Sequence, residues 1–259
     1  MGDRLQDRIV IVTGGGTGIG LAIARCCVEE GAAVMLAQRR VELAQREAEK
    51  LRTAGFRAQA MRCDVSCRED VETLIATTVQ TFGKLDAMIN NAALTGVAAE
   101  LTPFLEETDE HWRRILDINL TGAFYCTQAA ARQMIAQGTP GAIVNISSVA
   151  QYAAQEYAAP YCASKAGLDG LTKTAALELG PYRIRVNNIA PGDIFTEASA
   201  DVKGAAADRG ASGKFFRHTP LDRRGRPEEI GRVAAFLVSE EAGFVTGATW
   251  LVDGGFLSY

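Results

Sequence analysis

Histidine is almost absent from this chain of 259 residues: only His111 and His218 carry an imidazole. No serine-hydrolase arrangement is recognisable around either, and His218 is at most a pocket-lining residue. The six cysteines are too scattered to suggest a metal centre. Only Cys63 and Cys67 stand at a ligand-like spacing, and neither a second pair nor a nearby histidine completes a site. Thiols of this kind are expected to be buried or half-buried in an intracellular enzyme, which points to the cytoplasm. No apolar run reaches the ~18–20 residues of a membrane span, and Met1–Arg8 is polar rather than a basic-then-apolar leader. An excess of positive charge is missing as well. A formal net charge of −4 and a pI near 5.4 argue against nucleic acid or a membrane surface as partner. No internal repeat, low-complexity tract or linker breaks the chain. One domain spanning 1–259 is expected, and 47% apolar residues supply ample core for it.

What is present is a regular alternation. Short apolar and β-branched runs predict strands over 8–13, 32–37, 57–62, 85–90, 141–147, 183–189 and 248–252. Helical patterns fill 18–30, 41–54, 67–82, 109–137, 159–179 and 227–239. Alternating strands and helices predict an α/β fold, a single doubly wound parallel sheet of about seven strands with helices on both faces. Ser66, with Glu69 three residues on, predicts a capping box for the third helix. Pro160 suits the first turn of the helix at 159–179. The one long irregular stretch, 191–226, is rich in Gly, Ala and charge and reads as a substrate loop or lid.

Two local patterns carry chemistry. Ile9-Val-Ile-Val12 runs straight into Thr13-Gly-Gly-Gly-Thr-Gly-Ile-Gly20, and a helix opens directly behind it. Strand, glycine turn and helix form the context in which such glycines signal a dinucleotide. Gly14 allows the tight turn, while Gly18 and Gly20 allow close approach of backbone to pyrophosphate and of helix to strand. The helix start, with Thr17 and Ile19, offers N–H groups and the positive dipole end to phosphate. The second pattern is Tyr161-x-x-x-Lys165. A spacing of four puts both side chains on one helix face, their Cβ atoms about 5–6 Å apart. An ammonium that close is expected to draw the phenol pKa down from ~10 towards neutrality. Such a tyrosine can exchange a proton with an alcohol or carbonyl oxygen. Either pattern alone also arises by chance; together they carry far more.

The end of the second strand should choose the nucleotide. An acidic residue about 20 positions after the glycine turn holds a ribose 2′-OH, whereas an arginine can bind a 2′-phosphate. Here neutral Gln38 is followed by Arg39, whose guanidinium supplies charge-assisted hydrogen bonds to phosphate. NADP is therefore expected, with NADPH preferred over NADH. The alternative is that Arg39 and Arg40 only cap and solvate the next helix.

Thr13-Gly-x-x-x-Gly-x-Gly20, Asn90-Asn-Ala-Ala93, Asn119, Ser148, Tyr161-x-x-x-Lys165 and Pro191-Gly192 stand in a telling order. In order and spacing the chain resembles the short-chain dehydrogenase/reductase family, from Asp7 to the closing Val252-Asp-Gly-Gly255. It departs at Ala93, where the family usually has glycine, a methyl group expected to be tolerated. The resemblance implies a Rossmann fold and a catalytic set of Asn119, Ser148, Tyr161 and Lys165. In it Ser148 holds the substrate oxygen, with Ser147 a structural hydroxyl. Lys165 binds the nicotinamide ribose, and Asn119 disturbs its helix and holds a water that refills the proton. The resemblance puts Asp64 and Val65 near the adenine, although Asp64 also suits a turn before its helix. Asn91 and Ala92 fall beside the adenosine ribose, and Pro191, Gly192, Ile194 and Thr196 around the nicotinamide carboxamide. No metal is implied.

The activity implied is NADP(H)-dependent interconversion of a ketone or aldehyde with its alcohol, in a homotetramer joined through the helices near 109–137 and 159–179. The closing strand and tail are expected at a second subunit contact. Phe195, Lys203, Lys214, Phe215, Phe216 and Arg217 are expected over the substrate, with Gln155 and Tyr157 facing it. Their mixture suits a sugar, sugar acid or polyol. Two alternatives stand beside this reading: a 3-oxoacyl-(acyl-carrier-protein) reductase-like enzyme, which shares every motif, and a catalytically silent dinucleotide-binding regulator.

Overall fold

The computed structural model describes residues 2–199 and 219–258. Seven parallel strands form one sheet in the order β3-β2-β1-β4-β5-β6-β7. They are β1 (Ile9–Thr13), β2 (Ala33–Gln38), β3 (Ala58–Arg62), β4 (Ala87–Asn90), β5 (Gly141–Ile146), β6 (Ile184–Pro191) and β7 (Thr249–Val252). β1, β4 and β5 are buried along their whole length, as strands must be when helices cover both faces. Alternation along β1 sorts its side chains between two cores. Val10 and Val12 pack with Ile23, Ala44 and Ile230, whereas Ile11 packs with Leu74, Ala130 and Ile143.

The helices among the described residues are α1 (Gly18–Glu29), α2 (Val41–Thr53), α3 (Arg68–Phe82), α4 (Asp109–Leu116), α5 (Gly122–Ala136), α6 (Ala159–Leu179) and α7 (Pro227–Val238). α1, α2 and α7 cover one face of the sheet, and α3, α5 and α6 the other. No helix among the described residues is long and apolar enough to cross a membrane. From β1 the chain winds outward to β2 and β3, then returns to lay β4 on the opposite side of β1. At such a reversal the connections diverge and leave a crevice at the carboxyl ends of the strands.

Two local expectations need correction. The capping box of Ser66 and Glu69 does not form. The Asp64 carboxylate takes both the N–H of Ser66 (3.1 Å) and its hydroxyl (2.6 Å) in a local turn, and the helix begins one residue later. Cys67 precedes α3 instead, and its thiol reaches Glu69 at 3.2 Å. The helix expected over 109–137 is likewise not uniform: a π-helical turn, Asp117–Thr121, separates α4 from α5. Lys203, Lys214, Phe215, Phe216, Arg217 and His218 lie outside the described residues.

Candidate active site

Thr13, the last residue of β1, ties the two strands that flank the crevice. Its hydroxyl donates to the Ile89 carbonyl (3.2 Å) and accepts from the N–H groups of Asn91 (3.0 Å) and Ala92 (3.1 Å). Asn91 in turn donates its amide to the carbonyls of Thr13 (2.9 Å) and Gly14 (3.4 Å). Gly14 and Gly18 adopt φ of 64° and 52°, a region that L side chains rarely enter. At Gly20 a Cβ would run into the Gly14 carbonyl and the Asn91 amide. Thr17 enters α1 in extended conformation without a side-chain cap. The first-turn N–H groups and the positive end of the helix dipole are thus left for an anion. The cradle fits the pyrophosphate of a dinucleotide.

Around the cradle, the predicted residues fall in different places. Gln38, at the end of β2, accepts from the Gly16 N–H at 3.3 Å, and Arg39 and Arg40 beyond it are exposed, with no ion-pair partner among the described residues. Asp64 is occupied by its own turn, and Val65 packs where a Cβ on Gly122 would come within 2.8 Å of it. Neither lines the cavity described next.

That cavity, of about 300 Å³, opens between the cradle and the carboxyl ends of β5 and β6. Ile19, Asn91 and Ala93 line it on the cradle side, Ser148, Tyr161 and Lys165 on the far wall, and Pro191, Gly192, Ile194 and Thr196 on a third side. Ser148 follows β5 and its oxygen accepts from the Ala150 N–H at 3.1 Å, which leaves its own proton to donate. It shares the cavity wall with Tyr161. Neighbouring Ser147 serves structure: its hydroxyl lies 2.5 Å from the Gln151 amide oxygen and 3.0 Å from the Lys165 carbonyl.

The phenol does not behave as the helical spacing predicts. Burial raises the Tyr161 pKa above its ordinary value, with the nearby hydroxyls of Ser148 and Thr95 pulling the other way. The Lys165 ammonium donates to the Ile146 carbonyl at 2.8 Å and lies 5.7 Å from the centre of the Tyr161 ring. Burial lowers its own pKa to about 8. Sharing a helix face brings the two stems together. It does not decide where a four-carbon side chain ends, and both groups lose more by desolvation than they gain from each other.

Asn119 sits in the π-helical turn and is buried. Its oxygen accepts from the Leu94 N–H (2.8 Å), and its amide donates to the Leu94 carbonyl (3.1 Å) and the Ser164 hydroxyl (3.2 Å). Ser164 passes the contact on to the Tyr161 carbonyl at 2.7 Å. Both amide hydrogens are therefore spent on protein, and the side chain braces the loop after β4 against the catalytic helix. A water held there would rest on the remaining lone pair or on the backbone.

Thr95 and Arg224 are among the cavity residues that escape sequence reasoning. Thr95, in the loop that Asn119 braces, lines the same cavity as Tyr161. Arg224 pairs with Asp193 at 2.8 Å and donates to the carbonyls of Ile194 (3.2 Å) and Ser199 (3.3 Å). It thereby anchors the segment that carries Thr196. An Asp193–Arg224 pair separated by 31 residues leaves no periodic signal in the sequence.

A phosphate cradle joined to a wall of hydroxyl, phenol and ammonium defines a dinucleotide-binding oxidoreductase. The family model described as Enoyl-(Acyl carrier protein) reductase matches residues 14–257. The chain is 40% identical over 256 residues to the cis-4-hydroxycyclohexanecarboxylate dehydrogenase of Sinomonas cyclohexanicum, covering 99% of each protein. It is 41% identical over 252 residues to the A-factor type gamma-butyrolactone 1'-reductase (1S-forming) of Streptomyces virginiae, covering 97% of this chain and 96% of that protein. The crystal structure of a short-chain type dehydrogenase/reductase from Mycobacterium marinum superposes with a TM-score of 0.89 at 33% identity, over 97% of this chain and 96% of that one. The chain belongs to the short-chain dehydrogenase/reductase family, enzymes that act on alcohol and ketone groups with a nicotinamide cofactor.

Proposed function

We propose that this enzyme interconverts a ketone or aldehyde and its alcohol with NADP(H), using Tyr161 as the proton donor and acceptor. One observation carries the proposal: Ser148, Tyr161 and Lys165 meet on one wall of the cavity whose other side is the start of α1. Gly14, Thr17, Gly18, Ile19 and Gly20 would hold the pyrophosphate, and Asn91 and Ala92 the adenosine ribose. Asp64 and Val65 would approach the adenine from the end of β3. Pro191, Gly192, Ile194 and Thr196 would face the carboxamide. The nicotinamide, when bound, supplies or takes the hydride at the substrate carbon. Tyr161 gives its hydroxyl proton to the carbonyl oxygen, and Ser148 donates a hydrogen bond to the same oxygen as charge builds there. Lys165 refills the phenol proton through the hydroxyls it would bind, and Asn119 keeps the loop after β4 in register with the catalytic helix.

Gln38 and Arg39 support NADP over NAD: no carboxylate closes the end of β2, and an exposed guanidinium stands beside it. A small hydroxylated carbonyl compound, such as a sugar, sugar acid or polyol, is the substrate class proposed. Homotetramers in the cytoplasm complete the reading; Trp112 on α4, Phe124 on α5 and Leu177 on α6 are apolar and exposed, as an interface across these helices requires. Keto-sugars, cyclic ketones and a 3-oxoacyl thioester, each offered with NADPH and NADH, test the substrate and cofactor assignments. Tyr161→Phe tests the chemistry. Removing the general acid should lower turnover about 100-fold or more while nucleotide affinity survives. Activity within tenfold of the parent would take Tyr161 out of the mechanism.

A further inference from the structure

We propose that Asp193 and Arg224 together form a subsite for substrate hydroxyl groups, which narrows the substrate class to an uncharged sugar or polyol ketone. The inference rests on the carbonyl–alcohol chemistry proposed above. Both residues line the catalytic cavity. Their side chains keep 34% and 33% of their surface exposed, so a ligand in the cavity can reach both.

Backbone contacts fix where the pair stands. Gly192 donates its N–H to the Val252 carbonyl at 3.1 Å, and a Cβ on it would come within 2.7 Å of the Asp253 Cα. The chain leaving β6 is thus held closely against the end of β7. The Asp193 carbonyl then accepts from the Gly225 N–H (2.9 Å), and the Gly225 carbonyl accepts from the Phe195 N–H (2.9 Å). This parallel bridge between Ile194 and Gly225 brings Arg224 alongside Asp193. The guanidinium carbon lies 5.1 Å from the centre of the Phe195 ring, a contact that restrains it further.

The pair is satisfied along one edge and open along the other. Nε and Nη2 of Arg224 both approach a single oxygen, Oδ1 of Asp193, at 2.9 and 2.8 Å. Nη2 also meets the Ile194 and Ser199 carbonyls and, at 2.9 Å, the Ser199 hydroxyl. Among the described residues, neither Oδ2 of Asp193 nor Nη1 of Arg224 has a hydrogen-bond partner. The carboxylate oxygen can only accept and the guanidinium nitrogen can only donate. A hydroxyl answers either one. A carboxylate gains little here, because the two charges cancel and Asp193 repels it where it approaches Arg224. A ketone without hydroxyls would cover both groups and leave them unpaired, which costs affinity.

Erythrulose, 2-butanone and acetoacetate share a four-carbon ketone frame and carry hydroxyls, no further polar group and a carboxylate, respectively. With NADPH, parental kcat/KM should be about tenfold or more higher for erythrulose than for the other two, the size of one hydrogen bond to a charged group. Asp193→Asn keeps an oxygen for Arg224 but turns the open acceptor into an amide donor. It should raise the KM for erythrulose about tenfold, with kcat and Tm near parental and 2-butanone kinetics unchanged. An unchanged KM for erythrulose, an equal loss on 2-butanone, or acetoacetate as the best of the three would overturn the subsite. Failure of every ketone and alcohol to react would instead strike the proposed function. Binding then decides the subsite without turnover: saturation-transfer NMR of erythritol on the nucleotide-free protein should show a signal that Asp193→Asn loses. No signal in the parent, or equal signals in both proteins, would refute it.

Discussion

Lys165→Met should make the fold more tolerant of neutral pH while destroying activity. The reasoning starts from a buried ammonium whose pKa is lowered from 10.5 to about 8 by desolvation. The separation corresponds to ~3 kcal/mol, at about 1.4 kcal/mol per pH unit. The sign follows from proton counting. The unfolded chain holds the lysine proton up to about pH 10.5, the folded chain only to about pH 8. Between these values the unfolded state binds more protons, so stability rises with pH. Below about 8 the full penalty weighs on the fold; above about 10.5 it has gone. Methionine carries no such penalty but leaves the Ile146 carbonyl, 2.8 Å from the ammonium in the parent, without its donor. That loss costs about 1–3 kcal/mol at any pH. Lys165→Met should therefore match or exceed the parent in stability at pH 7 and fall behind it near pH 10. Urea unfolding of both proteins at the two pH values, without added nucleotide, measures the swing. The expected change in their stability difference is ~2–3 kcal/mol. A difference that stays flat with pH would show that Lys165 is not desolvated in the fold.

Gln38→Asp should raise the KM for NADPH about tenfold and bring NADH forward, because a carboxylate at the end of β2 repels a 2′-phosphate and removes the advantage of Arg39. An unchanged ratio of the two KM values would assign the choice of nucleotide to other residues. Arg224→Met breaks the pair with Asp193 and frees the carbonyls of Ile194 and Ser199. Nucleotide affinity, measured by calorimetric titration, should weaken about tenfold, with Tm falling by only about 2–4 °C per kcal/mol lost. Parental affinity in that variant would mean the Ile194–Ser199 segment does not depend on its anchor.

The sheet was legible because burial on both faces writes itself as short unbroken apolar runs, as in Ile9–Val12 and Gly141–Ile146. The glycine turn was legible for a related reason: left-handed φ at Gly14 and Gly18 and the closed space at Gly20 leave few other residues possible. The resemblance has Asn119 disturbing its helix, and the residue does sit in an irregular turn. What the sequence could not reveal was its partner, because Leu94 lies 25 residues away. The same distance problem hid Arg224. The capping box failed on a shorter scale: Ser66 and Glu69 have the right spacing, but Asp64 holds Ser66 in a turn and Cys67 takes the N-cap position.

The miss over Tyr161 is the more instructive, because spacing and burial pull in opposite directions there. A helix face fixes how near two Cβ atoms lie, whereas a pKa depends on what the whole fold does to the solvent around them. Lys165 is buried and Tyr161 half-buried, and the loss of water raises the phenol and lowers the ammonium. The pair is thereby pushed towards its neutral forms. A phenol that keeps its proton near neutral pH is the donor a carbonyl oxygen needs, whereas alcohol oxidation calls for the phenolate and so for a higher pH. If Tyr161 is the acid–base group, its resting protonated form is the one that carbonyl reduction calls for.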